Sequence, residues 1–379
     1  MKKICFVITT LSTGGAEMML HKLLQNMDRS EFDPVVISLT DMGEIGPRIQ
    51  ALGIPVIALG LRKSLPNPVA LFRLVAQIRR FLPDVVHTWM YHPDLLGGIA
   101  ARLAGVRRVA WCLHQANLSK MANKRTTLMI IRLCARLSRH LPDRIVSCSQ
   151  RALDAHVEIG YDRSRSCVIP NGFELARFRR DPQARESVRS ELGISQDAPI
   201  VGLFGRHDVQ KNHAGFIEAA RRVRDAIPQV RFVLAGGGVT ADNHELTAKV
   251  RSVGLSDATH LLGRRDDMPR LMAAIDVLAS SSFGEAFPNV LGEAMACEVP
   301  CVATDVGDCS EIVGDAGYVV PSGDMEALAS RLVEVIRMPP EKRSLLGEAA
   351  RQRIAQRFEI GHVVRQYEQV YRSMIEEIR

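Results

Sequence analysis

Glu285 and Glu293 stand eight residues apart in the stretch SSFGEAFPNVLGEAMACEVPCVATDV, residues 281–306. Pro288 ends the extended segment before it, so the spacing predicts a helix that starts near Asn289. One carboxylate then precedes the helix and the other lies on it. Val290, Leu291 and Gly292 would carry first-turn N–H groups without an intrahelical acceptor, a place for an anion. Glu293 would stand about 6 Å beyond that end, roughly the reach from a phosphate to a neighbouring ribose. A nucleotide-sugar laid here would have its diphosphate on the amides beside Phe287, Pro288 and Asn289, its ribose towards Glu293 and its sugar towards Glu285. Ionised carboxylates suit vicinal hydroxyls because each accepts two O–H donors. Two isolated glutamates at a helix start also have a plain reading, because negative charge is favoured there anyway.

The second pair is cationic. Arg206 and Lys211 lie five residues apart in GRHDVQKN, residues 205–212, after the apolar run 200–204. Two cations at a strand's C-terminal end can converge on one diphosphate. A solvated loop carrying Arg and Lys is the common alternative.

These loops need a scaffold that presents strand ends side by side. Short apolar runs at residues 3–8, 35–39, 55–59, 84–87, 108–114 and 143–149 alternate with helical patterns as far as 151–159, with 143–149 the last strand of this half. A second series begins at 200–204 and continues through 230–235, 276–280, 301–307 and 317–320. Such alternation predicts doubly wound parallel sheets with ligands at the strand C-terminal ends. His87 and His114 fall at such ends, where a histidine is more often structural than chemical. Gly14 and Gly15 follow the first strand and open a helix, a loop through which backbone reaches a phosphate or sugar. That loop lacks the full GxGxxG of a dinucleotide site.

The Glu-x7-Glu spacing followed by GEAMACEVPCVATDVG closely resembles the retaining glycosyltransferases of the family-4 type, glycosyltransferase group 1. GGAE at 14–17, VIPNG at 168–172, the GR…KN element at 205–212 and HLLGRR at 260–265 agree with it. The resemblance implies an α/β GT-B fold, two Rossmann-like domains facing each other across a cleft. It implies an acceptor-side domain over 1–170, a nucleotide-sugar-binding domain over 171–358 and a terminal helix over 359–379 crossing back to the first. It gives His114 the steadying of the donor sugar, Arg206 and Lys211 the leaving diphosphate, and Glu285 the orienting of sugar hydroxyls. Arg264 and Arg265 fall where the base would bind, and Gly14 and Gly15 near the donor. The implied reaction is retaining and proceeds on one face of the sugar, with no protein nucleophile, cofactor or metal. The implied donor is a UDP-linked hexose or N-acetylhexosamine. The implied acceptor is a growing glycan, with a lipid diphosphate as its carrier, in bacterial surface polysaccharide synthesis.

Length and composition agree with two globular cores: 379 residues, 46% hydrophobic and 24% charged. No apolar run reaches the 18 or so residues of a membrane span, and the first residues read as a buried strand rather than a signal peptide. The expected place is the cytoplasm, or the inner face of its membrane. The eight cysteines form no CxxC pair and read as buried free thiols. Up to Pro170 there are 23 lysines and arginines against 12 acids, and beyond it 26 against 30. The most basic region is 120–144, with Lys120, Lys124, Arg125, Arg132, Arg136, Arg139 and Arg144. An apolar stripe through Leu128, Ile131, Cys134, Ala135, Leu137 and Leu141 makes it a basic amphipathic helix, suited either to an anionic bilayer or to plain solvation. Nucleic acid is disfavoured, since aromatic residues are only 5% and no stacking platform interleaves the charges. Two further readings remain open at this stage: a nucleotide-sugar epimerase or hydrolase on the same fold, and a non-enzymatic two-domain sugar-binding protein.

Overall fold

A computed structural model describes residues 1–61, 68–119 and 123–376. The chain divides into two compact units, one formed by Met1–Gly172 with the segment from Ile360 onward, the other by Phe173–Glu359. Lys120 and Ile378, which belong to the predicted basic region and terminal helix, lie outside the described residues.

The first unit holds strands β1 (Lys2–Ile8), β2 (Phe32–Ser38), β3 (Val56–Ala58), β4 (Val85–Trp89), β5 (Val109–Leu113), β6 (Arg144–Ser147) and β7 (Ser166–Val168). Its helices are α1 (Gly15–Asn26), α2 (Ile45–Ala51), α3 (Pro68–Phe81), α4 (Tyr91–Leu103), α5 (Arg125–Leu137) and α6 (Gln150–Glu158). The strands form one parallel sheet in the order β3-β2-β1-β4-β5-β6-β7. Alternate side chains of β1 feed two cores. Ile4, Phe6 and Ile8 pack with residues of α1 and α2 and with Val363, Val364, Tyr367 and Tyr371 from the end of the chain. Cys5 and Val7 pack with α3, α4 and α5. The expectation that 143–149 is the last strand is corrected by β7, which pairs with β6 through Ser166, Cys167 and Val168. Three half-buried residues at a sheet edge leave no apolar run to read.

The second unit holds β8 (Ile200–Phe204), β9 (Arg231–Ala235), β10 (Thr259–Leu261), β11 (Val277–Ser280), β12 (Cys301–Thr304) and β13 (Tyr318–Val320). Its helices are α7 (Pro182–Glu191), α8 (His213–Ala226), α9 (His244–Ser252), α10 (Met268–Ala274), α11 (Asn289–Ala296), α12 (Cys309–Val313), α13 (Met325–Arg337) and α14 (Pro340–Arg357). The last helix of the chain, α15 (Ile360–Glu376), packs in the first unit. The second sheet is also parallel, ordered β10-β9-β8-β11-β12-β13.

In each sheet the direction of winding reverses once, between β1 and β4 in the first and between β8 and β11 in the second. Loops beyond the strand ends at such a reversal diverge and leave room for a ligand. Gly14 and Gly15 follow β1, while the 205–212 and 281–288 loops follow β8 and β11.

Candidate active site

The loop after β8 is built by side-chain caps. Asp208 accepts from the Gln210 N–H at 2.9 Å and so closes a short turn over Val209–Lys211. Asn212 takes the left-handed conformation, φ 50° and ψ 50°, and its side chain accepts from the Gly215 N–H at 3.0 Å to start α8. These caps fix the backbone on either side of Lys211. Its Nζ then lies 2.5 Å from Glu285 Oε1, and the Ser282 hydroxyl donates to the same oxygen at 2.7 Å. The loops after β8 and β11 are joined in the backbone too, with the Phe283 N–H donating to the Gln210 carbonyl at 2.7 Å. The Ser281 hydroxyl donates to the Lys211 carbonyl at 3.0 Å.

A third loop closes on this pair. Gly307, after β12, has φ +53°, and a β-carbon there would lie 2.4 Å from the Glu285 carbonyl oxygen. Only a glycine allows the backbones to meet so closely. The Thr304 hydroxyl donates to the Ser282 carbonyl at 2.6 Å. The sheet order thus brings together one cation, Lys211, and one carboxylate, Glu285, of those singled out in the sequence. Arg206 stands apart from them: its side chain is 73% exposed and its Nε lies 3.4 Å from Asp208, whereas the Lys211 side chain is 26% exposed.

Helix α11 starts at Asn289 after Pro288, with no side-chain cap. The expectation of three open N–H groups is corrected at Leu291, whose N–H donates to the Pro288 carbonyl at 3.1 Å because the first turn is tightened. Glu293 is half-buried on this helix. Phe287 is buried, stacked on Phe173 at 6.1 Å and edge-on to Phe358 at 5.7 Å. Its side chain therefore anchors the loop from within. The Arg265 guanidinium is held bidentate by Asp267 at 2.8 Å and again by Glu191 at 2.8 Å, which ties α7 to the start of α10. Arg264 follows Gly263, whose N–H donates to Val239 and whose carbonyl accepts from Gly236.

In the first unit Gly14 caps α1 in an extended conformation, and Gly15 is the helix's first residue. His114 follows β5 and is half-buried. Burial holds its imidazole at about 3, well below its ordinary value. His87 lies inside β4, fully buried, with Nδ1 2.8 Å from the Tyr371 hydroxyl. It is a core residue. All eight cysteines are free thiols, and seven are buried. Among the described residues no three His, Cys, Asp or Glu side chains converge as metal ligands, and no helix is long and apolar enough to cross a membrane.

Sequence reading missed Ser282, Asp208 and Gly307. The first two are three and two residues from the charges they steady. Gly307 is distant in sequence and becomes visible only when β11 and β12 lie side by side.

Two parallel, doubly wound α/β units are the make-up of a GT-B fold, and a cation–carboxylate pair where the second sheet reverses is in keeping with a glycosyltransferase. The family described as Glycosyltransferase Family 4 matches residues 13–177, and that described as Glycosyl transferases group 1 matches residues 198–338. The chain belongs to the group 1 glycosyltransferases of the family-4 type. It is 25% identical over 341 residues to the UDP-Gal:alpha-D-GlcNAc-diphosphoundecaprenol alpha-1,3-galactosyltransferase of Escherichia coli, covering 86% of this chain and 84% of that one. It is 29% identical over 310 residues to the alpha-maltose-1-phosphate synthase of Mycolicibacterium smegmatis, covering 76% and 79%. The crystal structure of Anabaena HepE in complex with UDP and glucose superposes with a TM-score of 0.86 at 25% identity, over 98% of this chain and 100% of that one.

Proposed function

We propose that this glycosyltransferase moves a hexose or N-acetylhexosamine from a UDP-sugar to a growing glycan, with retention of configuration and without a metal. The observation that carries the reading is the Lys211–Glu285 pair, 2.5 Å across the reversal of the second sheet. An ammonium has three donors. With Glu285 on one, Lys211 keeps two for a diphosphate, and Arg206 supplies a second, more exposed cation. The charge that builds on the leaving group would meet fixed positive groups rather than a divalent ion. Glu285 would keep its second oxygen for a sugar hydroxyl. Glu293 on α11 would take the ribose, and Arg264, Gly14 and Gly15 the edges of the donor. In the retaining step the bond from the anomeric carbon to phosphate breaks, the acceptor oxygen bonds that carbon on the same face, and its proton passes to the leaving phosphate oxygen.

UDP and glucose bound to HepE, and the UDP-Gal donor and diphosphoundecaprenol acceptor named for the Escherichia coli relative, support a UDP-sugar donor and a lipid-linked acceptor. Incubation with a panel of UDP- and GDP-sugars and glycan acceptors tests the reading. We expect acceptor-dependent release of UDP in the presence of EDTA and an axial product by proton NMR coupling. Absence of release from every donor, or its loss in EDTA, contradicts it. Release without acceptor at the same rate would favour the hydrolase reading.

The same proposal places the first unit on an anionic bilayer. On α5, Met129 is 69% and Leu133 43% exposed, interleaved at helical spacing with the exposed Arg125, Arg132 and Arg136. Apolar side chains between cations fit an acidic lipid surface. Sedimentation with liposomes should recover more protein on anionic than on neutral lipid, and equal recovery removes this part.

A further inference from the structure

Trp89 closes β4 and His114 follows β5. Their rings are nearly parallel, with centroids 4.7 Å apart and planes at 22°. The indole also stacks with Tyr367 of α15, at 6.3 Å and 19°. Cys112, two residues before His114 and on the same side of the strand, places its Sγ 3.2 Å from His114 Nε2 and 3.8 Å from the Tyr367 hydroxyl.

The direction of the short contact follows from the chemistry of its atoms. Cys112 is fully buried, and burial pushes its thiol well above the ordinary range, so the sulfur keeps its hydrogen. Sulfur is a weak acceptor, whereas an unprotonated imidazole nitrogen is a good one. These strengths favour an S–H that donates to Nε2, which leaves the sulfur as acceptor for the Tyr367 O–H. A neutral imidazole has one proton, and with Nε2 accepting, that proton is on Nδ1.

We infer that Cys112 and Tyr367 are positioning residues for His114: the thiol selects the Nδ1–H tautomer, and the stack on Trp89 fixes the plane of the ring. The inference rests on the reading of His114 as the residue that steadies the donor sugar. It gives that residue a defined task, a single N–H donor at Nδ1 that offers a hydrogen bond and takes no proton. It also draws α15 into the chemistry of the first unit. Tyr371, one helical turn after Tyr367, makes the matching contact to His87 at 2.8 Å, where the ring is sealed in the core.

Histidine-selective nitrogen-15 labelling of the full chain, read by long-range proton–nitrogen correlation, reports the tautomer directly. We expect His114 as the Nδ1–H form in the parent and in Cys112→Ser, which keeps a donor, and a mixture of forms in Cys112→Ala. In turnover, Cys112→Ala should lower kcat by about tenfold with KM nearly unchanged, the scale of one misdirected hydrogen bond. Cys112→Ser should recover most of that loss. Tyr367→Phe, which keeps the stack and removes the hydroxyl, should lie between. In a His114→Ala background, Cys112→Ala should add nothing. A proton on Nε2 in the parent, or an unchanged His114 signal in Cys112→Ala, overturns the inference. Full activity of His114→Ala would instead overturn the role given to His114, and the nitrogen spectra would still decide whether Cys112 sets its tautomer.

Discussion

The two units solve the same problem, holding side chains beyond the ends of a parallel sheet, with opposite chemistry. In the unit of residues 173–359 the held groups are charged: Lys211 bonds Glu285, Ser282 bonds the same carboxylate, and Asp208 attends Arg206. In the unit carrying α15 they are neutral rings and a thiol: His114 against Trp89, and Cys112 between His114 and Tyr367. The difference follows from solvation. A charge is expensive to bury without a partner, so the cations stay partly exposed and paired. An imidazole loses its charge on burial, so the neutral group can be enclosed and aimed. One arrangement suits a diphosphate, the other an uncharged sugar.

The contrast predicts unequal losses in the charged unit. Lys211→Ala should lower kcat/KM by roughly a thousandfold, about 4 kcal/mol of transition-state stabilisation, because it also strips Glu285 of its cation. Arg206→Ala, with its guanidinium in solvent, should cost about tenfold. Steady-state kinetics on both variants checks this, and equal losses would erase the distinction drawn between the half-buried and the exposed cation.

Acid should separate the units as well. Burial depresses His87 and His114 to about 3 and His156 and His213 to about 4. Between about 6.5 and those values the unfolded chain binds protons that the folded chain does not, so stability is full above 6.5 and is lost as pH falls towards 4. Each imidazole contributes at most about 1.4 kcal/mol per pH unit. Asp94 and Glu17, whose carboxyls burial raises, act with the opposite sign, but the imidazoles outnumber them. Three of the four lie in the first unit. Hydrogen exchange at pH 5 against pH 7 should therefore show the strands of the first sheet losing protection before those of the second.

A steric change should do the reverse. A β-carbon at Gly292 would lie 2.1 Å from the Phe173 ring. Gly292→Ala should destabilise the second unit by about 1–3 kcal/mol, visible as lost protection around α11 with the first sheet unchanged.

Much of this was legible in the chain. Alternating apolar runs and helical patterns marked the parallel sheets, because buried strands have a strong compositional signal. Glu285 and Lys211 were legible as candidates from their places beyond strand ends. Their bond was not, because it depends on β8 and β11 being neighbours, a pairing across 74 residues. The side-chain directions of Phe287 and Arg265 were not legible, because position in a loop says nothing of them. Packing on Phe173 and Phe358 turns the first inward, and Asp267 with Glu191 engages the second. The edge strand β7 was too short to register, and α7, α9 and α14 are too polar to stand out as helices from their apolar spacing.

The claim on which the rest depends is that Lys211 holds the diphosphate while His114 serves the sugar. Calorimetric titration of UDP into the parent, Lys211→Ala and His114→Ala proteins separates the two. The account predicts at least about tenfold weaker UDP binding for Lys211→Ala, the worth of a charge-assisted hydrogen bond, and parent-like binding for His114→Ala. Parent-like UDP binding by Lys211→Ala would contradict it.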